Sequence, residues 1–149
     1  MIYFDTAYLA KCYLTDTGFE DVRRLAALHP VATCELGRVE MAAAFHRACR
    51  EGRLTAAALQ IIRRQFASDD ALGVWVWLPA TSALLKKAAQ RFDTLRRDTF
   101  LRSADAIHLT CAAEHGFPEI YSNDRHLLAA APLFGLKPRN VIAQATTGG

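Results

Sequence analysis

The stretch that decides the fold stands at the start of the chain, where residues 2–6 read Ile2-Tyr3-Phe4-Asp5-Thr6. Three apolar residues in succession predict a short buried strand, and Asp5 stands at its carboxyl end. A helix is predicted directly after it, over residues 6–14. In open parallel sheets, ligands bind beside the carboxyl ends of the strands. Asp5 is therefore the first candidate for a functional side chain.

The same pattern of a short apolar run followed by a helix continues along the chain. Strands are predicted at residues 2–5, 31–34, 74–78 and 119–122, with a last short strand within 138–142. Helices are predicted at residues 6–14, 18–29, 35–51, 54–71, 81–97, 103–115 and 125–131, with Ser103 as an N-cap. This alternation predicts a parallel sheet covered by helices on both faces. We expect a single domain over residues 1–142 and a flexible tail over 143–149.

The composition is that of a globular protein. The chain has 149 residues, of which 52% are hydrophobic and 22% charged, enough for one domain with its own core. No apolar run approaches the roughly 20 residues of a membrane-spanning helix. Asp5 interrupts the first apolar stretch, which disfavours a signal peptide. We therefore expect a cytoplasmic protein without a membrane partner.

Four acidic residues stand beside or inside apolar segments, where carboxylates are rare unless they are paired or bound to a metal. The four are Asp5, Glu40, Asp105 and Asp124. The first and last follow predicted strands, and the other two lie on inward-facing stripes of predicted helices. These positions predict that the four carboxylates meet in one cleft at the carboxyl edge of the sheet.

Each acid taken alone also has a purely structural explanation. Asp5 and Asp124 are positioned as helix N-caps, and Asp105 lies in a first helical turn, where the helix dipole favours a carboxylate. Glu40 has two arginines within reach on its own helix, Arg38 and Arg47. The prediction of a common site therefore depends on the four acids together.

Carboxylates without a cysteine or histidine pattern suit Mg²⁺ or Mn²⁺. Such ions, singly or in pairs about 4 Å apart, activate water and stabilise attack at phosphorus. Without the ion the like charges repel, which predicts weakened packing and raised carboxylate pKa values in the metal-free protein. This chemistry needs no histidine base. His108 lies one turn from Asp105. Its side chain is expected either to orient that acid or to pack in the core.

The charge balance favours a nucleic-acid partner. Lys and Arg number 18, of which 14 are Arg, against 15 Asp and Glu, for a net charge of +3. If four acids belong to one site, the rest of the chain is distinctly basic, and arginine binds phosphate in a bidentate way. Candidate contacts to RNA phosphates are Arg96, Arg97, Arg102 and Arg125. The alternative for each is a solvated arginine on a loop.

The four acids lie in segments that resemble, in the same order, the motifs of the PIN domain family, and specifically of the VapC-type toxins of toxin–antitoxin pairs. The matching segments are IYFDT at 2–6, CELGRVE at 34–40, SADAIHL at 103–109 and YSNDRHL at 121–127. The likeness extends over about residues 1–142. The chain departs from the family at Thr33 and Cys34, because many relatives have a serine just before the helix predicted at residues 35–51. The sequence therefore does not identify the N-cap residue of that helix.

The resemblance implies a three-layer α/β/α sandwich with a short central parallel sheet and a Mg²⁺- or Mn²⁺-dependent endoribonuclease. It implies that the first three acids hold the metal, directly or through water, and that Asp124 holds a second ion or orients the water. Thr6 corresponds to the family's small hydroxyl residue, and Ser122 stands where the family often has threonine. The resemblance further implies an RNA substrate, an antitoxin protein and a homodimer.

Two other functions remain open. One is a non-catalytic PIN-like module that binds RNA or protein. The other is a phosphatase of the haloacid dehalogenase type, because Asp5 ends a first strand. That chemistry requires a second acid two residues later, where this chain has Ala7.

Overall fold

The computed structural model describes residues 1–142, so the tail predicted at 143–149 lies outside the described residues. The strands are β1 (Ile2–Tyr3), β2 (Val31–Cys34), β3 (Trp75–Leu78), β4 (Glu119–Tyr121) and β5 (Lys137–Arg139). The helices are α1 (Thr6–Lys11), α2 (Phe19–Leu28), α3 (Leu36–Arg50), α4 (Ala56–Ala71), α5 (Ser82–Arg91), α6 (Ser103–Glu114) and α7 (Arg125–Ala130), the last continuing into a 3₁₀ turn at Ala131–Phe134. None of these helices is long and apolar enough to cross a membrane.

The strands are parallel, and β1 lies at the centre. It pairs with β2, and β2 pairs with β3 over its whole length. On the other side, β4 pairs with β5, and a bridge between Phe4 and Tyr121 joins this pair to the end of β1. The resulting order is β3-β2-β1-β4-β5. The residues that follow β1 and β4 therefore reach the same edge of the sheet, as predicted.

Successive residues of a strand point to opposite faces of the sheet, so both faces carry apolar side chains. Helices cover both faces. Tyr3 belongs to a core formed with α5, α6 and α7. Phe4 belongs to a second core formed with α1, α2, α3 and α4. Both side chains are fully buried. The predicted α/β/α sandwich is confirmed.

The predicted length of α5 is wrong. The helix ends at Arg91 rather than near residue 97. The Thr94 hydroxyl donates to the carbonyl of Arg91, and Arg96 pairs with Asp98 two residues further on. Such local side-chain bonds compete with helix formation, so the chain turns toward α6 instead.

Two helices beside the candidate site begin without a side-chain cap. Arg102, not the predicted Ser103, is the N-cap residue of α6, and it has extended backbone angles and no capping bond. The N-cap residue of α3 is Glu35, and its side chain makes no capping bond either. The sequence alone does not identify this N-cap residue. A guanidinium has no acceptor atom, so Arg102 cannot cap the helix, and its N–H groups bond to other side chains.

Candidate functional site

Asp5 lies just past β1 and is only 4% exposed. Its Oδ1 accepts a hydrogen bond from the backbone N–H of Tyr8 at 2.9 Å, which caps α1. Its Oδ2 accepts a hydrogen bond from the Ser122 hydroxyl at 2.5 Å. The capping role expected for Asp5 is confirmed, and it leaves a buried carboxylate fixed between β1 and β4.

Ser122 connects Asp5 to Asp124. While its hydroxyl donates to Asp5, the same oxygen accepts the backbone N–H of Asp124 at 2.9 Å. The Oδ1 of Asp124 accepts the N–H groups of His126 and Leu127 at 2.8 and 3.1 Å, so Asp124 caps α7 as expected. One buried serine thus fixes two of the four acids.

Glu40 points from α3 to α1 and α6. Its Oε1 accepts hydrogen bonds from the Thr6 hydroxyl at 2.8 Å and from His108 Nε2–H at 2.6 Å. The second ring nitrogen of His108, Nδ1, lies 2.9 Å from the hydroxyl of Tyr3. His108 is 2% exposed. A chain of polar contacts therefore runs from the core at β1 to the carboxylate of Glu40.

These contacts correct two expectations from the sequence. Arg38 pairs with an aspartate of α4 at 2.6 Å and Arg47 with a glutamate one turn further along α3 at 2.8 Å, so neither pairs with Glu40. His108 bonds to Glu40, 68 residues away in the sequence, rather than to Asp105 on its own helix. Its role is to hold an acid of another helix.

Gly37 allows α3 to pack closely enough for the Glu40 contact. A Cβ atom at Gly37 would lie 3.2 Å from the ring of Trp77 and 3.4 Å from the Thr6 Oγ1. The first distance is tighter than most carbon contacts, so the Trp77 ring or α3 would have to shift by a few tenths of an ångström, and the second is close to ordinary van der Waals contact. Glu40 follows three residues later on the same helical face. The glycine therefore helps to seat Glu40 against Thr6.

Arg102 lies between the remaining two acids. Its Nε donates to Asp105 Oδ2 at 3.1 Å, and its Nη2 donates to Asp124 Oδ2. Asp105 is in the first turn of α6, as predicted. The positive charge of Arg102 also helps to lower the pKa of Glu40. An arginine predicted as an RNA contact is thus paired with two of the predicted metal ligands.

The four acids lie in two hydrogen-bonded groups and do not surround one point. Ser122 and Arg102 join Asp5, Asp124 and Asp105, whereas Glu40 bonds to Thr6 and His108. Within residues 1–142, no group of three or more Asp, Glu, His or Cys side chains is arranged to hold a metal ion. Two basic side chains, Arg102 and His108, bond to three of the acids instead. The donors themselves fit a hard divalent cation such as Mg²⁺ or Mn²⁺, because they are carboxylates flanked by the hydroxyls of Thr6 and Ser122.

The pKa values of Asp5 and Glu40 move in opposite directions. Burial raises the pKa of Asp5 from 3.8 to about 6, against the lowering effect of the Ser122 and Tyr8 hydrogen bonds. Burial would also raise the pKa of Glu40, but the hydrogen bond and charge of His108 hold it below its usual range. Burial lowers the pKa of His108, and Glu40 outweighs this and raises it overall. The predicted direction is found for Asp5, with burial rather than repulsion as the main cause, and the prediction is wrong for Glu40.

The raised pKa of Asp5 predicts a pH-dependent stability of the metal-free protein. Between about pH 4 and pH 6 the folded state binds the Asp5 proton more tightly than the unfolded state does. The contribution of Asp5 to the free energy of unfolding therefore falls as the pH rises. Compared with Asp5→Asn, the wild type should lose up to roughly 3 kcal/mol of unfolding free energy across this window. Urea unfolding in EDTA at pH 4 and pH 7 measures the difference. If the wild type and Asp5→Asn differ in unfolding free energy by the same amount at both pH values, the raised pKa of Asp5 is contradicted.

A groove of about 460 Å³ opens beside the network between α1 and α3. Its lining includes Thr6, Ala7, Ala10, Glu40, Ala43, Ala44, Arg47, Arg53, Arg102 and Asn123. On α3 the lining residues follow the helical spacing from Glu40 to Arg47, two turns or about 10 Å further along. The groove thus has Glu40 near one end and Arg47 about two helical turns away, and Asp16 and Lys11 line it as well.

Sequence reasoning missed Arg47 and Arg53 as groove residues. The signal for the first was its position seven residues after Glu40, which places both on one helical face. Of the arginines predicted as RNA contacts, Arg102 lines the groove, and of the four acids Glu40 does; the prediction that all four meet in one cleft is wrong for this groove. Arg97 and Arg125 are exposed, and Arg96 is paired with an exposed aspartate.

The sequence model of the PIN domain matches residues 2–132. Among solved structures, the crystal structure of Mycobacterium tuberculosis VapC20, described as a sarcin–ricin loop cleaving toxin, is similar with a TM-score of 0.67 and 20% sequence identity, covering 87% of this chain and 95% of that chain. No curated protein sequence matches the chain. With strands β1 to β4 and all four acids inside the matched range, the chain belongs to the PIN domain family.

Proposed function

We propose that this protein is a metal-dependent endoribonuclease that acts as the toxin of a toxin–antitoxin pair. The observation that carries the proposal is the buried carboxylate of Asp5, whose pKa burial raises to about 6. A fold that keeps such a carboxylate at a ligand-binding edge, connected to further acids, is typical of a catalytic site. Membership of the PIN family and the structural likeness to VapC20 support the same function.

In this proposal Asp5, Glu40 and Asp105 hold Mg²⁺ or Mn²⁺, directly or through water, and Asp124 serves a second ion or the attacking water. A divalent cation bound there supplies the charge that activates water and stabilises in-line attack at the phosphorus of RNA. The reaction is hydrolysis of a phosphodiester bond within the RNA chain.

The neighbouring side chains orient these acids. Ser122 fixes the Oδ2 of Asp5, and Thr6 and His108 fix the Oε1 of Glu40. Because one oxygen of Glu40 is held by these donors, the position of the other is restricted as well. Loss of a partner that orients a metal ligand typically costs about 10- to 100-fold in metal affinity or activity. Thr6, Ser122 and His108 are therefore proposed as positioning residues.

The groove is the proposed path of the RNA strand. It begins at Thr6 and Glu40, and it is floored by small side chains that leave room for a sugar–phosphate backbone. Arg47 and Arg53 also line it and are proposed to contact phosphates on one side of the cleaved bond. Arg97 and Arg125 remain candidates for contacts outside the groove, as does Arg96 if it leaves Asp98.

VapC20 is described as cleaving the sarcin–ricin loop, so ribosomal RNA is the first substrate to test for this protein. A homodimer and an antitoxin that inserts a basic side chain among the acids are further parts of the proposal, and PIN family membership supports them. A small reading frame beside the gene, co-expressed and co-purified with this protein, would identify the antitoxin.

Incubation of the purified protein with total RNA and with a sarcin–ricin loop hairpin tests the activity. We expect cleavage with Mg²⁺ or Mn²⁺ and none in EDTA, and sequencing of the new RNA ends should give defined sites. The absence of cleavage with both ions, or equal cleavage in EDTA, would contradict the proposed chemistry.

One observation favours a second candidate, a non-catalytic PIN-like module that binds RNA. Arg102 neutralises Asp105 and Asp124, and no metal-holding group is assembled within residues 1–142. A module of this kind would bind RNA equally in EDTA and in Mn²⁺ and would leave it intact. The incubation described above separates the two candidates directly.

A further inference from the structure

The contacts of Arg102 explain why the acids do not surround a single point. One guanidinium bonds to Asp105 on α6 and to Asp124 at the start of α7, two carboxylates that are 19 positions apart in the sequence. Its charge also acts on Glu40. Arg102 thus supplies a positive charge, from the protein itself, that interacts with three of the four acids.

The oxygens that face Arg102 are those that the proposed metal needs. Arg102 bonds to the Oδ2 atoms of both aspartates. The Oδ1 of Asp124 is occupied by two backbone N–H groups of α7, so its Oδ2 is the oxygen left for a ligand. A divalent cation at these oxygens would lie against the guanidinium, and two positive charges at that separation repel strongly.

We infer that Arg102 is a built-in counter-ion, which a divalent cation has to displace from Asp105 and Asp124. This inference rests on the proposed function, because it concerns the metal that the proposed reaction uses. The site then has two exclusive states, one closed by Arg102 and one bound to metal. Arg102 stabilises the metal-free protein by offsetting the repulsion between the acids, and it weakens metal binding by the same interaction.

The position of Arg102 makes the exchange feasible. The side chain is 58% exposed and comes from the residue just before α6. It also lines the groove, so a released guanidinium needs no movement of the helix. Once released it faces the proposed path of the RNA, which reconciles the pairing seen here with the phosphate contact predicted from the sequence.

Removal of this cation should therefore tighten metal binding. We expect Arg102→Gln to bind Mn²⁺ at least about fivefold more tightly than the wild type at pH 7, measured by the electron paramagnetic resonance signal of free Mn²⁺. Arg102→Lys should fall between the two, because it keeps the charge and loses the forked pairing. The thermal midpoint of Arg102→Gln should be lower than that of the wild type in EDTA and should rise more on addition of Mn²⁺.

Arg139→Gln is the matched control. Arg139 pairs through two nitrogens with Glu119, at 2.9 and 2.8 Å, and its side chain is 44% exposed. Its side chain bonds to none of the four acids, and the substitution leaves intact the backbone carbonyl that accepts the N–H of Ser122. The substitution changes the net charge equally and should leave the Mn²⁺ affinity unchanged. Equal gains in both variants would mean that only the net charge matters, and the inference would then be wrong.

Nuclear magnetic resonance gives a second measurement, made on the wild type, that does not depend on the folding of Arg102→Gln. The Nε–H signal of Arg102 in the wild type, assigned by its absence in Arg102→Lys, should shift when Mg²⁺ is added. An unmoved signal at saturating Mg²⁺, or a Mn²⁺ affinity of Arg102→Gln equal to or weaker than that of the wild type, would overturn the inference. If the wild type binds Mn²⁺ but cleaves no RNA, the proposed function fails while the exchange of Arg102 for metal is still decided by these data.

Discussion

Replacement of Asp5 by asparagine should lower metal-dependent RNA cleavage by at least about 100-fold, while the metal-free protein stays at least as stable as the wild type at pH 7. Asparagine is nearly isosteric and keeps an oxygen for the N–H of Tyr8, which Asp5 bonds at 2.9 Å to cap α1. It removes the charge that burial disfavours and that the proposed metal requires. A loss of activity without a loss of stability separates a functional acid from a structural one.

The activity is measured as the initial rate of cleavage in saturating Mn²⁺, and the stability by urea unfolding in EDTA. Asp21→Asn is the matched control, since Asp21 lies in the first turn of α2 and pairs with the exposed Arg24. It should cost a few tenths of a kcal/mol in stability and leave the rate unchanged. Retention of more than a tenth of the wild-type rate by Asp5→Asn would exclude Asp5 from the metal site.

The parts of the fold that could be predicted from the sequence are those set by local patterns. The strand at residues 31–34 was predicted with its observed bounds, because a short apolar run follows the helix-breaking Pro30. The neighbouring positions of Asp5 and Asp124 followed from their places after two parallel strands. The family resemblance added the three-layer arrangement, which the two cores on either side of β1 confirm.

The contacts that join the candidate site could not be predicted, because they form between distant segments. His108 and Glu40 meet only when α6 and α3 are placed around β1, and no spacing in the sequence brings them together. The pairing of Arg102 with Asp105 follows helical spacing, but its bond to Asp124 depends on how α6 and α7 pack. The predicted rise in carboxylate pKa is found for Asp5, where burial and not repulsion is the main cause. It is not found for Glu40, whose charge is offset by His108 and Arg102.

Replacement of His108 by leucine should destabilise the metal-free protein by about 2–4 kcal/mol. The ring is fully buried and bonds to Glu40 at 2.6 Å, to Thr6 at 3.1 Å and to Tyr3 at 2.9 Å. Leucine fills the space without replacing any of these bonds, so a buried tyrosine hydroxyl loses its partner and Glu40 loses its counter-charge. Glu40 is partly exposed and recovers some hydration, which limits the loss.

A double-mutant cycle with Glu40→Gln isolates the pair. If the charge of Glu40 accounts for much of the effect, His108→Leu should cost about 1–2 kcal/mol less in the Glu40→Gln protein than in the wild type. His46→Leu, at an exposed position of α3, should change the unfolding free energy by less than about 0.5 kcal/mol. Equal costs of His108→Leu in both backgrounds would show that the ring acts through packing and not through Glu40.

The pH dependence gives the same pair a signature that packing does not share. The pKa of His108 is raised in the folded state, so its ionic contribution is complete below its ordinary value of 6.5 and is lost as the pH rises through the raised value. The pKa of Glu40 is lowered, so its contribution is present above its ordinary value of 4.5 and is lost on acidification. The cost of His108→Leu in EDTA should therefore be largest between about pH 5 and pH 6 and smaller at pH 9. If the ring acted only through packing, His108→Leu would lower the free energy of unfolding by the same amount at every pH. Loss of the ion pair with Glu40 lowers it most in the pH range where both groups are charged.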